Sequence, residues 1–486
     1  MRLSELLREV EFEGSIKNDF DIKFVTDDSR LVRPGALFVC IRHRSFDGHT
    51  AAAGALASGA AAVVTQERLG LENELNVADS RAAYARLCAA LCGHPERKLR
   101  MIGVTGTNGK TTVTTLIRNI LSDSGIKTLL TGTVCNRLGE ESLPSGLTTP
   151  KPPELYSLLS RAVLSGCDAC VAEASSQALA QGRLEGIAFD AAVFTNITRD
   201  HLDYHGTFEN YLAAKKKLFE HSEVSAVNLD DPRADEIIAA SSGKTVTFST
   251  VLDCADYTAK NISLLPEGVS FELVSKGRIE HINFASPGLF SVSNAMAAAV
   301  CAINLGVDPR SVAQSLARSK GVCGRLERVE CGTPYSVIID YAHTPDGLEQ
   351  VLRALRPSCR GKLIVLFGCG GDRDKTKRPL MGAAACKYAD TVIVTSDNPR
   401  SEEPMRIIGD ILKGTDKKRR GLFIEEDRRR ATALALSLAK PGDTVLLAGK
   451  GHEKYQLICG EKLPLDERET VREILGLPHD TGRKKP

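Results

Sequence analysis

Gly106-Thr107-Asn108-Gly109-Lys110-Thr111-Thr112 is the stretch of this 486-residue sequence whose residue types and spacing point most directly to chemistry. Glycines let backbone N–H groups approach phosphate oxygens, a lysine reaches the outer phosphates, and a following Thr hydroxyl is placed to hold Mg²⁺. The apolar, β-branched run at 101–105 predicts a buried strand before the loop. Val113, Leu116, Ile117, Ile120 and Leu121 recur at helical spacing after it. Strand, glycine loop, Lys110-Thr111 and helix N-terminus together predict an ATP site. The general phosphate-loop pattern asks for glycine at position 104, where this chain has Val104. A glycine-rich turn without a nucleotide is the plain alternative, and the flanking strand and helix count against it.

Other residues collect where such a site would need them. Glu173 ends the predicted strand 169–174, beside the loop strand, where a Mg²⁺ ligand to ATP would sit. His201 lies in Thr198-Arg199-Asp200-His201-Leu202-Asp203-Tyr204-His205-Gly206, a cluster too polar for a core and placed just past the predicted strand 191–196. Lys215 begins a run of three lysines, of which Lys216 and Lys217 read as a solvated helix face.

These residues need a frame, and the chain supplies an α/β one. Residues 1–98 mix short strands and helices, with a helix expected over 51–59 and strands over 36–40 and 60–65. From 99 to 328 strands and helices alternate, and 169–174, 191–196 and 224–228 are candidate parallel strands. Residues 245–285 read as a more antiparallel insert with a hairpin turn at Pro266-Glu267-Gly268. The stretch 290–294 is expected to lead into an Ala-rich helix over 295–305, and 321–328 to be a linker. A second α/β domain is expected over 329–486. Its strands 335–340, 362–368, 391–396 and 444–449 each end in a polar or glycine-rich loop: YAHTPD, GCGGDRD, DNPR and GKGHE. Ligands bind at the carboxyl ends of strands in an open parallel sheet, so four such loops predict a second substrate site. The GCGG run lacks the spacing of a dinucleotide fingerprint.

Composition narrows the classes. With 63 basic and 61 acidic residues the chain offers no charge excess for nucleic acid or an acidic membrane surface. The first 14 residues are too charged for a signal peptide, and the longest uncharged stretch, 50–66, is short for a membrane span. A cytoplasmic protein with no membrane or nucleic-acid partner is expected. The 14 cysteines are scattered, and Cys167 and Cys170 have no second pair to complete a metal site, so reduced and partly buried thiols are expected.

The strings GTNGKTT, DHLDYHG, YAHTPD, GCGGDRD and DNPR resemble those of the Mur ligase family, through all three expected domains. The family's own loop reads GTNGKTT, so Val104 departs from the general pattern only. The resemblance implies an N-terminal domain for a UDP-sugar, a central ATPase domain with a mostly parallel sheet, and a Rossmann-like C-terminal domain for an amino acid. It also implies an ATP-dependent amide ligase that joins UDP-N-acetylmuramoyl-L-Ala-D-Glu to meso-diaminopimelate; apart from the resemblance, a monomer is expected. By the same carry-over Gly106, Thr107, Asn108, Gly109, Lys110, Thr111 and Thr112 bind ATP, with Asn294, Arg325, Asp340 and His343 around the nucleotide. Thr111 and Glu173 hold one Mg²⁺, and Glu173 with His201 a second, stabilised by a carbamate on Lys215. The sugar nucleotide falls to Asp27, Ser29, Arg44, Ser45, Phe46, Thr148, Thr149, Ser175, Gln181 and Arg183. Arg373, Asp397, Asn398, Pro399, Arg400, Gly449 and Glu453 take diaminopimelate. In that set Arg400 grips the distal carboxylate, and Asn398 reads the neighbouring ammonium and carboxylate. A lysine-adding sibling, or a P-loop switch that hydrolyses ATP without either substrate, is the competing reading.

Overall fold

Arg100–Thr105 is the strand expected before the glycine loop, and it lies inside an 11-stranded sheet. Ala169–Glu173 and Phe189–Phe194 flank it, both parallel. Strands buried on both faces need no polar alternation, which is why Ala169–Glu173 reads as a continuous apolar run and is buried throughout. Parallel pairing continues through Ser222–Asn228 and Lys244–Ser249 on one flank and Thr128–Thr131 on the other. This computed structural model describes residues 1–478 apart from 44, 45, 266, 320, 417 and 418.

The expected insert is an extension of the same sheet. Tyr257–Leu265 still pairs parallel with Lys244–Ser249, and antiparallel pairing begins only with Gly268–Ser275 and Arg278–Phe284. Pro266 of the expected turn lies outside the described residues. The helix Lys110–Asp123 buries Val113, Leu116, Ile117, Ile120 and Leu121 against the sheet. Beside it runs Leu289–Asn304, whose alanines let the two helices pack closely into one apolar cluster. That helix starts earlier than the expected 295, because Gly288 caps it. Asn294 is therefore delivered by a helix and not by a loop.

The N-terminal strands Phe24–Thr26, Ala36–Val39, Ala60–Thr65 and Glu74–Asn76 form a separate parallel sheet. Its apolar core is nonetheless continuous with one face of the central sheet, through Tyr84 and Leu87 on one side and Leu155 and Leu159 on the other. The C-terminal sheet has the order Glu327–Arg328, Ser336–Asp340, Thr444–Ala448, Leu363–Phe367, Thr391–Val394, Leu422–Ile424. Only its first strand is antiparallel, and that strand lies within the expected linker, ahead of the boundary at 329. The four polar loops all leave the carboxyl ends of its parallel strands.

Buried Arg428 braces two of these strand ends. It donates to the carbonyls of Ser396 and Ala448 and pairs with buried Glu467 at 2.8 Å. Cys167 and Cys170 are buried free thiols, and every described cysteine is unpaired by disulfide. Among the described residues no helix is long and apolar enough to cross a membrane.

Candidate active site

The glycine loop joins its strand to the helix beginning at Lys110, whose first N–H groups have no carbonyl one turn back and face outward. Gly106 has φ of 155°, and a Cβ there would stand 1.9 Å from the Thr195 hydroxyl. The loop is pinned from below: Asn108 N–H donates to Asn196 Oδ1 at 2.9 Å, and Thr195 donates to the Asn108 carbonyl at 2.6 Å. Lys110 folds back to donate to the carbonyls of Gly106 and Thr107 at 2.8 and 2.9 Å, bonds it can exchange for phosphate oxygens. Burial pushes its ammonium pKa down, helped by Arg325 and opposed by Glu173 and Asp200. A partly desolvated cation at a glycine loop favours an anionic ligand.

Glu173 is 1 % exposed at the end of its strand. It accepts from the Thr111 hydroxyl at 3.0 Å, from the Thr133 hydroxyl at 2.8 Å and from the Thr133 N–H at 2.9 Å. A Cβ at Gly132 would sit 2.3 Å from Glu173 Oε1, so only glycine leaves room for the carboxylate. Two hydroxyls and a carboxylate in contact are an oxygen donor set suited to a hard divalent cation. Thr133 was missed from the sequence, although its place just past the strand Thr128–Thr131 could have signalled it.

Lys215 is 1 % exposed, Lys216 half-buried and Lys217 exposed, so the expected solvated face holds for Lys217 and only partly for Lys216. The helix Phe208–Lys216, capped by the Thr207 hydroxyl, puts Tyr211 and Lys215 on one buried face. The Lys215 ammonium lies 4.6 Å over the Tyr211 ring, and the Tyr211 hydroxyl meets Thr107 of the glycine loop at 2.9 Å. Burial drives the Lys215 pKa well below the ordinary lysine value, and Lys110 adds to this. His201, in the left-handed region at φ 53°, is pushed down to about 4 by burial, with Asp200 opposing. Burial would raise Asp200, but His201, His343 and Lys377 outweigh it and hold the carboxyl at about 2. Among the described residues no three His, Cys, Asp or Glu side chains gather as a metal cluster, so a second cation would need an oxygen donor beyond these.

The C-terminal domain closes over this loop. Arg325 stacks 4.6 Å over Tyr341 and donates to the Thr111 hydroxyl at 3.1 Å. Asp340 accepts from the N–H groups of Leu326 and Ala342, and His343 bonds the Tyr341 carbonyl at 2.9 Å. Asn108 donates to Asp346 at 3.1 Å, and Arg199 reaches Thr376 at 3.1 Å. A Cβ at Gly109 would stand 2.4 Å from Asn294 Oδ1, which places Asn294 against the loop.

A second network runs away from Glu173. Thr149 donates to the Glu173 carbonyl at 2.6 Å and meets the Ser175 hydroxyl at 3.1 Å. The Thr148 and Thr133 hydroxyls meet at 3.0 Å, and Arg183 ties the Thr149 carbonyl to Gln181, which reaches Tyr204. Asp27 stands apart from these five, held by Tyr84 and by Lys151 of the central domain at 3.0 Å. Ser29 opens a short 3-10 turn, and Phe46 is 46 % exposed. Arg44 and Ser45 lie outside the described residues.

The third cluster belongs to the C-terminal loops. Arg400, at φ 54°, donates to the Gly371 carbonyl at 2.7 Å, and its N–H bonds Leu457. The pKa of its guanidinium is lowered by burial and by exposed Arg373, against Asp397 and Glu453. Two guanidiniums beside two carboxylates make a pocket matched to a group carrying both an ammonium and a carboxylate. Pro399 and Gly449 shape its wall, Gly449 lying where a Cβ would stand 2.7 Å from Asp397 Oδ2.

Three family models match the chain: the Mur ligase middle domain over 104–302, the Mur ligase glutamate ligase domain over 324–451, and the Mur ligase family catalytic domain over 21–89. The UDP-N-acetylmuramoyl-L-alanyl-D-glutamate–2,6-diaminopimelate ligase of Syntrophomonas wolfei is 43% identical over 487 residues, covering 98% of this chain and 99% of the relative. The enzyme of the same name from Clostridium tetani is 41% identical over 488 residues, with 98% and 99% covered. A solved structure of a ligase of that name superposes with a TM-score of 0.70 at 34% identity, covering 98% and 99%. The MurF ligase of Thermotoga maritima, solved in complex with ADP, shares the fold at TM-score 0.62 and 19% identity, covering 94% of this chain and 98% of that one.

The fit between Gly132 and Glu173 gives a direct test. Gly132→Ala should displace the carboxylate and lower the maximal rate of ATP consumption about 100-fold, the scale of an ångström-level misplacement. Steady-state rates at saturating ATP measure this, and circular dichroism should stay at that of the wild type.

Proposed function

The chain belongs to the Mur ligase family, and on that premise we propose how its residues carry out the ligation. It is an ATP-dependent amide ligase that adds 2,6-diaminopimelate to UDP-N-acetylmuramoyl-L-alanyl-D-glutamate in peptidoglycan precursor synthesis. The amino acid is the meso isomer, the protein works as a cytoplasmic monomer, and the three domains divide near 98 and 328.

Joining a carboxylate to an amine in water is uphill, so the carboxylate is first activated. The γ-carboxylate of D-Glu attacks the γ-phosphorus of ATP in line and ADP leaves, giving an acyl phosphate. The amino group of diaminopimelate then attacks the acyl carbon, the amide bond forms and phosphate leaves. Lys110 neutralises charge on the transferring phosphoryl group from a helix N-terminus that is itself electropositive. Gly106–Thr112 cradle the phosphates, with Asn294, Arg325, Asp340 and His343 around the nucleotide. Thr148, Thr149, Ser175, Gln181 and Arg183 take the sugar nucleotide with Asp27, Ser29 and 44–46. What supports this division is Glu173, whose side chain faces the ATP loop while its carbonyl faces Thr149, so that carboxylate and γ-phosphate are neighbours.

Thr111 and Glu173 would hold Mg²⁺, which when bound offsets charge on the phosphates. A second ion at Glu173 and His201 would need a carbamate on Lys215. A neutral amine is what adds to CO₂, and the wholly buried Lys215 favours its neutral form. Arg373, Asp397, Asn398, Pro399, Arg400, Gly449 and Glu453 receive diaminopimelate. Arg400, held on the Gly371 carbonyl beside Gly370 with the Arg373 side chain on the same glycine, supports this assignment, because a guanidinium grips a carboxylate and lysine offers none at its far end.

Offering meso-diaminopimelate, LL-diaminopimelate and L-lysine with UDP-muramyl-dipeptide tests the reading. ATP turnover should require both substrates and favour the meso isomer; turnover without them would mean an ATPase switch, and equal use of lysine a lysine-adding enzyme. Lys215→Ala should lower turnover by at least about 100-fold, with partial rescue by short carboxylic acids, while Lys216→Ala and Lys217→Ala stay near wild type. Arg400→Ala should raise the KM for meso-diaminopimelate steeply and shrink the preference over lysine, which a site built for a polar partner sets at roughly 10⁴-fold. Its ATP affinity, measured by calorimetry, should not move.

A further inference from the structure

The side chain of Lys450 is wholly buried beneath the diaminopimelate pocket. Its ammonium donates to Asn398 Oδ1 at 2.9 Å and to Glu453 Oε2 at 2.6 Å. Asn398 Oδ1 also accepts from the Leu457 N–H at 2.9 Å, and Asn398 Nδ2 donates to Glu453 Oε2 at 2.9 Å. These contacts admit one amide orientation. Turning the amide over would set its NH₂ against two donors and its oxygen against a carboxylate. Both lone pairs of the Asn398 oxygen are thus engaged below the pocket. The residue can offer a ligand only its remaining N–H, so it reads a carboxylate and not, as its type allowed, an ammonium as well.

The same ammonium engages one oxygen of Glu453 and leaves the other. Nearby, Asp397 Oδ2 is buried without a hydrogen-bond partner, and Lys450 and Arg428 outweigh burial to keep that carboxyl ionised. We propose that Lys450 is a positioning residue that divides the pocket into a donor half, formed by Asn398 N–H and Arg400, and an acceptor half, formed by Glu453 Oε1 and Asp397 Oδ2. The carbon of diaminopimelate that bears both an ammonium and a carboxylate then binds in one orientation only, which selects its configuration. Burying a lone cation is costly, and Lys450 offsets the cost through bonds to two residues that face the ligand. The inference rests on this pocket being the amino-acid site.

Lys450→Met, Lys450→Gln, Asn398→Ala and the Lys450→Met/Asn398→Ala double variant are compared in the full coupling assay. Isotope scrambling in ATP without amino acid reports acyl-phosphate formation separately. Lys450→Met should raise the KM for meso-diaminopimelate on the order of 10- to 100-fold, the value of a hydrogen bond to a charged group. It should also lower the preference for the meso over the LL isomer, while scrambling continues within about twofold of wild type. Lys450→Gln still has a donor for Asn398 and should recover part of both. In the Asn398→Ala background Lys450→Met should add clearly less than its effect alone, what is left acting through Glu453. Full multiplication of the two effects, or an unchanged isomer preference, would overturn the proposal and leave Lys450 a structural cation. If Lys450→Met does not fold, the isomer preference of Lys450→Gln decides alone. Should Arg400→Ala also leave the KM unchanged, the pocket assignment fails first and this inference with it; a KM raised by Arg400→Ala but by neither Lys450 variant defeats this inference alone.

Discussion

The buried carboxylate of Glu173 is the interaction on which the rest of the site depends. Its oxygens meet Thr111 from the ATP loop and Thr133 from the neighbouring strand end, while its carbonyl takes Thr149. A charge this deeply buried is tolerable only when each oxygen is satisfied, so its position is over-determined by three separate chain segments. Activation of a carboxylate by ATP is a problem of bringing two anions together. One residue that touches both binding networks sets their separation.

Around it the molecule brings cations together, each with carboxylates close enough to oppose part of their repulsion. Lys110, Lys215 and Arg325 converge on the loop, and the Arg373 and Arg400 side chains flank Gly370 in the third domain. In a region shielded from water such groups repel, and ligands bearing phosphate or carboxylate relieve that repulsion. The left-handed backbone at His201 and Arg400 belongs with this, since both side chains are held where an extended loop would not aim them.

The domains differ in how firmly they are joined. The N-terminal sheet shares an apolar core with the central one, whereas the C-terminal domain keeps its own core and meets the central one through Phe290 and polar contacts such as Asn108–Asp346 and Arg199–Thr376. Polar contacts exchange easily with water, so the C-terminal domain is the one suited to swing away for substrate entry and product release. On the proposed reading the ATP site has walls from both sides of that joint, which would couple nucleotide binding to closure.

Much of this was legible in the residues alone. A glycine loop between a β-branched run and a periodic helix specifies its own geometry, because the constraint is local. Parallel strands buried on both faces announce themselves as apolar runs whose polar ends mark the ligand edge. Lys215 could be separated from Lys216 and Lys217 only by likeness to a family, since composition makes the three identical and burial alone tells them apart. Thr133, Asp346 and Lys450 stand at or just past strand ends, but the contacts they make were not legible, for their partners lie 40, 238 and 52 positions away in the chain. The orientation of the Asn398 amide was likewise beyond the sequence, which supplies donor and acceptor together. Local chemistry determined which residues could act, and long-range packing decided which atoms of each are left to do so.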